Sequence, residues 1–273
     1  MKRLINNRLA VFGAGIILFI IFISVFAPFI TKYDPTYVNI KDALLGPSFK
    51  HPMGTDSLGR DLFSRMVYAS RVALSIGLVA VGLAAVIGVI LGSIAGYFGG
   101  KTDWAIMRFA DIMLCFPRFF LILAVVAVIG PSIFNVMLII GLTSWMGMAR
   151  LIRAEVLTLK TRDYVAASKA LGASHFFIIS RHLIPNGISP VLVSFVFGVA
   201  GAILTEAGLS FLGLGVQPPD PSWGNILMEG KSVLGVGWWV IMFPGFAILI
   251  TVLAFNLLGE GLRDALNPRV RGD

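Results

Sequence analysis

The chain has 273 residues, of which 57% are hydrophobic and only 13% charged. A soluble domain carries roughly 25% charged residues, so the balance excludes an ordinary soluble enzyme and points to a lipid-facing protein. The net charge of +8 carries no basic–aromatic stripe outside the apolar runs, so membrane topology rather than nucleic acid accounts for it. The one cysteine, Cys115, excludes an intramolecular disulfide framework and a cysteine metal cluster, and reads as a small buried apolar residue.

The apolar residues gather into runs long enough to cross about 30 Å of hydrocarbon. The first, Leu9 to Ile30, follows Lys2, Arg3 and Arg8. A cleaved signal core is about 7–15 residues, so this run reads as an uncleaved first span. A polar segment, 31–71, follows, and the second span is Val72 to Gly100. Its Gly88, Gly92 and Gly96 recur every four residues, a helix-packing stripe that serves a second chain or this one equally well. After a short polar stretch, 101–118, the run Phe119 to Ala149 is broken at Gly130-Pro131 into spans three and four. Span three must borrow residues before Phe119, which puts Arg118 near a membrane face, where it can snorkel. Leu183 to Thr205 is the fifth span, 206–231 a glycine- and proline-rich loop, and Ser232 to Gly259 the sixth.

The fold expected is therefore all-α: one polytopic bundle of six spans over residues 1–273, with both termini on the same side. With the tails 1–8 and 260–273 in the cytoplasm, inner segments hold 15 of the 22 lysines and arginines, as short cytoplasmic loops should. The segments 31–71 and 206–231 are then outer loops, and 150–185 an inner one.

No catalytic pattern stands out. The three histidines form no HExxH pair, and no GxSxG elbow occurs. The apolar cores of the spans hold no Asp, Glu or Lys, which argues against a proton relay. Gly100-Lys101-Thr102 imitates the end of a phosphate loop, but Ala95 stands where the first glycine belongs and a membrane span precedes it. ATP is not expected on this chain.

The inner loop carries the information. Asp163 is placed to cap a short helix through Tyr164, Ala166, Ala167, Ser168, Lys169 and Leu171. Gly172 fits the left-handed helix end, with Ala173 after it. Ser174 caps a second short helix from His175, and Pro185 suits the first turn of span five. An alanine-rich helix is thin enough to seat in a groove on a partner. The same loop also suits a surface-lying amphipathic segment.

Ala166-Ala167-Ser168, Gly172 and Pro185 resemble the EAA loop of ABC importer permeases. Ala167, Gly172 and Pro185 keep its register. The sequence departs at Ala166, where the pattern has Glu, and at Ser168, His182 and Ile184. His51 to Asp56 with Gly59 to Arg65, the stretch Leu209 to Pro219 with Ser222-Trp223-Gly224, and Ala254 to Gly259 with Leu262-Arg263-Asp264 are similar to the second permease of dipeptide, oligopeptide and nickel importers. The resemblance implies a bacterial inner-membrane protein with a homologous permease partner. It further implies two cytoplasmic ATPases that carry ATP and magnesium, and an extracytoplasmic substrate-binding protein. Gly208 to Gly215 is expected to dip toward the membrane as an outer gate through Phe211, Leu212 and Leu214, or else to cap the bundle as a packed loop. Nickel import, a non-transporting scaffold that recruits ATPases, and a membrane enzyme are the competing readings. The enzyme would need an intramembrane nucleophile–base pair, and none is present.

Overall fold

The computed structural model describes residues 7–266. The sequence-predicted features at Lys2, Arg3 and the tail beyond Leu266 lie outside the described residues. Ten principal helices follow one another: α1 (Arg8–Val25), α2 (Leu62–Phe98), α3 (Gly100–Cys115), α4 (Arg118–Ile129), α5 (Ile133–Leu142), α6 (Trp145–Leu159), α7 (Asp163–Ala170), α8 (Ser189–Phe211), α9 (Trp223–Lys231) and α10 (Trp239–Leu266). No strand occurs among the described residues. Five stretches are long and apolar enough to cross a membrane: α1, α2, α5 with α6, α8 and α10. A sixth results if α3 and α4, bent by 85°, count as one.

The centre of the bundle is α2, whose 37 residues span about 55 Å at 1.5 Å per residue. Its buried face meets α5, α6 and α8, while α10 packs along α1 and α8. The glycine stripe of α2 lies against α6 of the same chain. A Cβ on Gly92 would stand 2.3 Å from the Ala149 carbonyl oxygen, and one on Gly88 2.8 Å from Met148 Cβ. Backbones this close gain the dispersion contacts that hold helices together where lipid removes the hydrophobic drive.

One end of α2 is set in a buried polar knot built from residues 51–65. Asp61 accepts a hydrogen bond from the Ser64 amide at 2.8 Å, capping the helix, and from His51 Nδ1 at 2.8 Å. Asp56 pairs with Arg60 at 2.7 Å and with Arg65. Both arginines reach Glu229 of α9. Trp239 Nε1, at the start of α10, donates to the Thr55 carbonyl at 3.0 Å. The knot explains two departures from the sequence expectation. First, α2 begins at Leu62 rather than at Val72, because Arg65 enters the helix already neutralised. Second, Arg60 and Arg65, two of the basic residues that the topology leaves in the outer segment 31–71, are buried in ion pairs.

Other boundaries also move. The polar stretch 101–118 is not a loop but the amphipathic α3 and the start of α4. The segment 206–231 contains α9, and the last span begins at Trp239, not Ser232. The fifth span runs from Ser189 to Phe211. Glu206 therefore lies inside it, 1% exposed, with its carboxylate accepting from the Ser210 hydroxyl at 2.6 Å. An ionisable group does sit within a span, against the sequence expectation. Cys115 is exposed rather than buried, because it ends α3 just before the chain turns at Phe116-Pro117.

Candidate functional site

Residues 160–188 form a compact cap on the far end of α2. Helix α7 starts at Asp163, but Arg162 occupies the cap position, and the Asp163 side chain caps nothing. The helix closes as the spacing predicts. Gly172 has φ of +79°, its N–H donates to the Lys169 carbonyl at 3.0 Å, and the Ala173 N–H donates to Ser168 at 3.1 Å. This double bond pattern needs a left-handed residue, which glycine adopts without a Cβ clash. Ser174 then caps the next turn, accepting from the Phe177 amide at 3.3 Å.

From His175 the chain runs through a wide π-turn, Ile178–Leu183, and a short turn, Ile184–Gly187. Pro185 falls in the first turn of that short piece and not of the span, which restarts at Ser189 after Ile188. π-turns inside helices frequently mark functional sites.

The cap has two unlike sides. Underneath, Val165, Ile178 and Leu183 are fully buried. On top, Ala166 and Ala167 are exposed, and Leu171 and Phe176 are 89% and 80% exposed. Burying each of these two apolar side chains is worth about 2 kcal/mol, so exposing both leaves an apolar surface open to a partner or to the lipid face. Tyr164 and Phe177 widen the same apolar face.

The underside is fastened to α2. The Tyr97 hydroxyl and His175 Nδ1 are 2.7 Å apart, and the rings of Tyr97 and Phe98 meet the imidazole edge-on. The Lys169 ammonium lies 5.2 Å from the Tyr97 ring centroid. Lys160 Nζ donates to the Gly96 carbonyl at 2.8 Å. Arg153, about two turns earlier on α6, pairs with Asp103 of α3. Sequence reasoning missed Tyr97, Lys160 and the Asp103–Arg153 pair. Only Tyr97 left a signal, an aromatic at the end of an apolar run, where interfacial rings gather.

The second expected element lies at the opposite end. Phe211 belongs to the last turn of α8 and not to a loop. Phe211 and Leu212 are exposed, whereas Leu214 is tucked against the core. Below them Ser210 Oγ accepts from the Val216 amide at 2.9 Å, which folds 212–216 back over the helix end.

Comparison with known proteins follows from this geometry. A family model for binding-protein-dependent transport system inner membrane components matches residues 88–272. A second, for the N-terminal transmembrane domain of oligopeptide transport permease C, matches residues 1–47. A dipeptide transport system permease of Alkalihalophilus pseudofirmus is 42% identical, over 99% of this chain and 89% of the relative. An oligopeptide transport system permease of Bacillus subtilis is 41% identical over 99% and 89%. A glutathione transport system permease of Pectobacterium atrosepticum is 40% identical over 99% and 90%. Among solved structures, an inward-facing MetNI methionine ABC transporter chain superposes with a TM-score of 0.59 at 17% identity, covering 74% of this chain and 96% of that one, a likeness of fold alone.

Proposed function

The chain belongs to the binding-protein-dependent transport inner-membrane components, and from that premise we propose that it is the permease subunit of an ATP-driven peptide importer, with residues 163–185 as its coupling loop. A permease of this family is a non-catalytic, multi-pass protein of the bacterial inner membrane, and works with a membrane partner, ATPase subunits and a substrate-binding protein. The peptide assignment draws on the dipeptide, oligopeptide and glutathione relatives. No cluster of three or more His, Cys, Asp or Glu able to hold a metal occurs among the described residues, so a bare nickel ion would find no ligand set here.

The observation that carries the proposal is the two-sided cap. Its exposed face, centred on Ala167, Leu171 and Phe176, offers apolar anchors on a thin helix for a groove on an ATPase. Its underside is joined through Tyr97, His175 and Lys160 to the end of α2. When two ATPases, carrying ATP and magnesium, close together, the cap moves as one piece. Helix α2 then transmits the displacement over about 55 Å to the Asp56–Arg65–Glu229 knot. The 160–188 end is thereby cytoplasmic, and the knot, with Phe211, Leu212 and Leu214, forms the outer mouth, where the binding protein delivers substrate. A homologous permease completes the path.

Proteoliposomes holding the complete importer test the reading. ATP-dependent uptake of a labelled dipeptide or oligopeptide, lost on omission of the binding protein, is the expected result. ATP-driven uptake of no peptide contradicts it.

A further inference from the structure

Arg118, exposed in this single chain, stands part-way along the bundle without a carboxylate partner among the described residues. Arg118 lines a cavity of about 220 Å³ together with Val81, Ser144, Gly147, Ser194 and Gly198. Val81 lies near the middle of α2 and Gly198 near the middle of α8, so the guanidinium sits far from either end of the bundle. The sequence expectation of a snorkelling arginine at a membrane face is therefore corrected. The chain bends by 85° at Phe116-Pro117 into α4, of which Arg118 is the first residue, and the bend sets the arginine beside α8.

Several arginines of the bundle are neutralised. Arg60 and Arg65 are paired with Asp56 and Glu229, Arg150 with Asp111, and Arg153 with Asp103. Among the described residues Arg118 has no carboxylate within ion-pair distance, and its one side-chain contact is a long 3.5 Å hydrogen bond to the Thr205 hydroxyl. That hydroxyl donates its own hydrogen to the Gly201 carbonyl at 2.7 Å and accepts from Arg118 with its oxygen. A charge at such depth is costly and marks a substrate path or a counter-ion site. The first amides of α4 have no side-chain cap and add positive potential at the same point.

A second cavity, of about 330 Å³, shares Leu151 and Ser194 with it and reaches Arg263 near the end of α10. The two arginines thus line neighbouring cavities along α8, Arg263 on the side of the cytoplasmic end assigned above.

We propose that Arg118 is a substrate-binding residue of the translocation path, receiving the carboxylate of a peptide as it leaves the outer mouth, with Arg263 in the neighbouring cavity. The assignment rests on the peptide-importer reading. A carboxylate matches the guanidinium fork and satisfies the charge that the fold leaves open. A second cation at Arg263 offers the carboxylate its next site, as multi-site passage requires.

The test uses the complete importer in proteoliposomes with saturating, preloaded binding protein, so that affinity of the binding protein drops out. Maximal uptake is compared for a labelled peptide with a free C-terminal carboxylate and for its C-terminal amide. Wild type should move the acid about tenfold faster than the amide, the usual weight of a charge-assisted hydrogen bond. In Arg118→Gln the acid-to-amide ratio should fall to about one with co-purification of the other subunits unchanged, and Arg118→Lys should restore most of the preference. An Arg118→Gln importer with the wild-type acid-to-amide ratio overturns the assignment and leaves the peptide reading standing. Loss of the partner permease on Arg118→Gln also overturns it, since the arginine then serves assembly. Failure of wild type to move either peptide overturns the peptide reading and the carboxylate ligand with it.

Discussion

The Tyr97 hydroxyl lies 2.7 Å from His175 Nδ1, joining the last turn of the longest helix to the first residue of the turn that Ser174 caps after the Gly172 bend. The two residues are 78 positions apart in sequence, and their contact is what makes the 160–188 cap part of the bundle rather than a strap hung beneath it. Replacing Tyr97 with Phe removes the hydroxyl and leaves the ring that Lys169 and His175 rest against. Stability should drop by about 1 kcal/mol, the net worth of one hydrogen bond. Peptide moved per ATP hydrolysed should fall severalfold while the ATPases stay bound, as measured by parallel uptake and phosphate-release assays.

At the opposite end, Arg65 touches both Asp56 and Glu229 with its side chain 2% exposed. Truncation to Ala leaves two carboxylates facing a buried site with one cation fewer. Breaking a buried pair in this way costs about 3–5 kcal/mol. The midpoint of thermal unfolding in detergent should fall by many degrees, and Glu229→Gln should fall less, because Asp56 still pairs with both arginines.

The α2–α6 contact admits a matched pair of variants. Gly92→Val places atoms 2.3 Å from the Ala149 carbonyl oxygen, so the helices must separate, and the protein should lose yield and thermal stability. Gly82→Ala, on the same helix, meets nothing within 4 Å and replaces the poorest ordinary helix former. Its unfolding midpoint should be unchanged or higher. Equal behaviour of the two variants in the same detergent would remove the packing account of the stripe.

Much of this fold is legible from apolar runs alone. Leu9 to Ile30, Phe119 to Ala149 and Leu183 to Thr205 each overlap a helix that crosses the bundle. The boundaries are not legible, because they depend on partners distant in sequence. Leu62 starts α2 since Glu229, 164 positions past Arg65, receives its charge. The polar residues of 101–115 form a helix because Asp103 meets Arg153, 50 positions on. Glu206 extends a span because Ser210, one turn away, lies on the same face.

The candidate coupling loop divides in the same way. Gly172 and Ser174 act through local backbone geometry, so their roles follow from residue type and spacing. Asp163 gives up the cap to Arg162, whose backbone is already extended at φ of −75° and ψ of 147°. Pro185 is displaced from the span by the π-turn before it. Arg118 was misplaced for want of the 85° bend, which no hydropathy profile contains.

The exposed face of the cap tests the central claim. Leu171 and Phe176, nearly free of contact in this chain, are changed together to Ser, which leaves the buried Val165, Ile178 and Leu183 untouched. The measurement is the amount of ATPase that co-purifies with the tagged permease from membranes. If 163–185 is the docking element, the double variant inserts at the wild-type level, retains its partner permease and loses the ATPases by at least about tenfold, since roughly 2 kcal/mol is withdrawn at each site. Wild-type recovery of the ATPases with the double variant would contradict the account and make the loop a surface-lying segment.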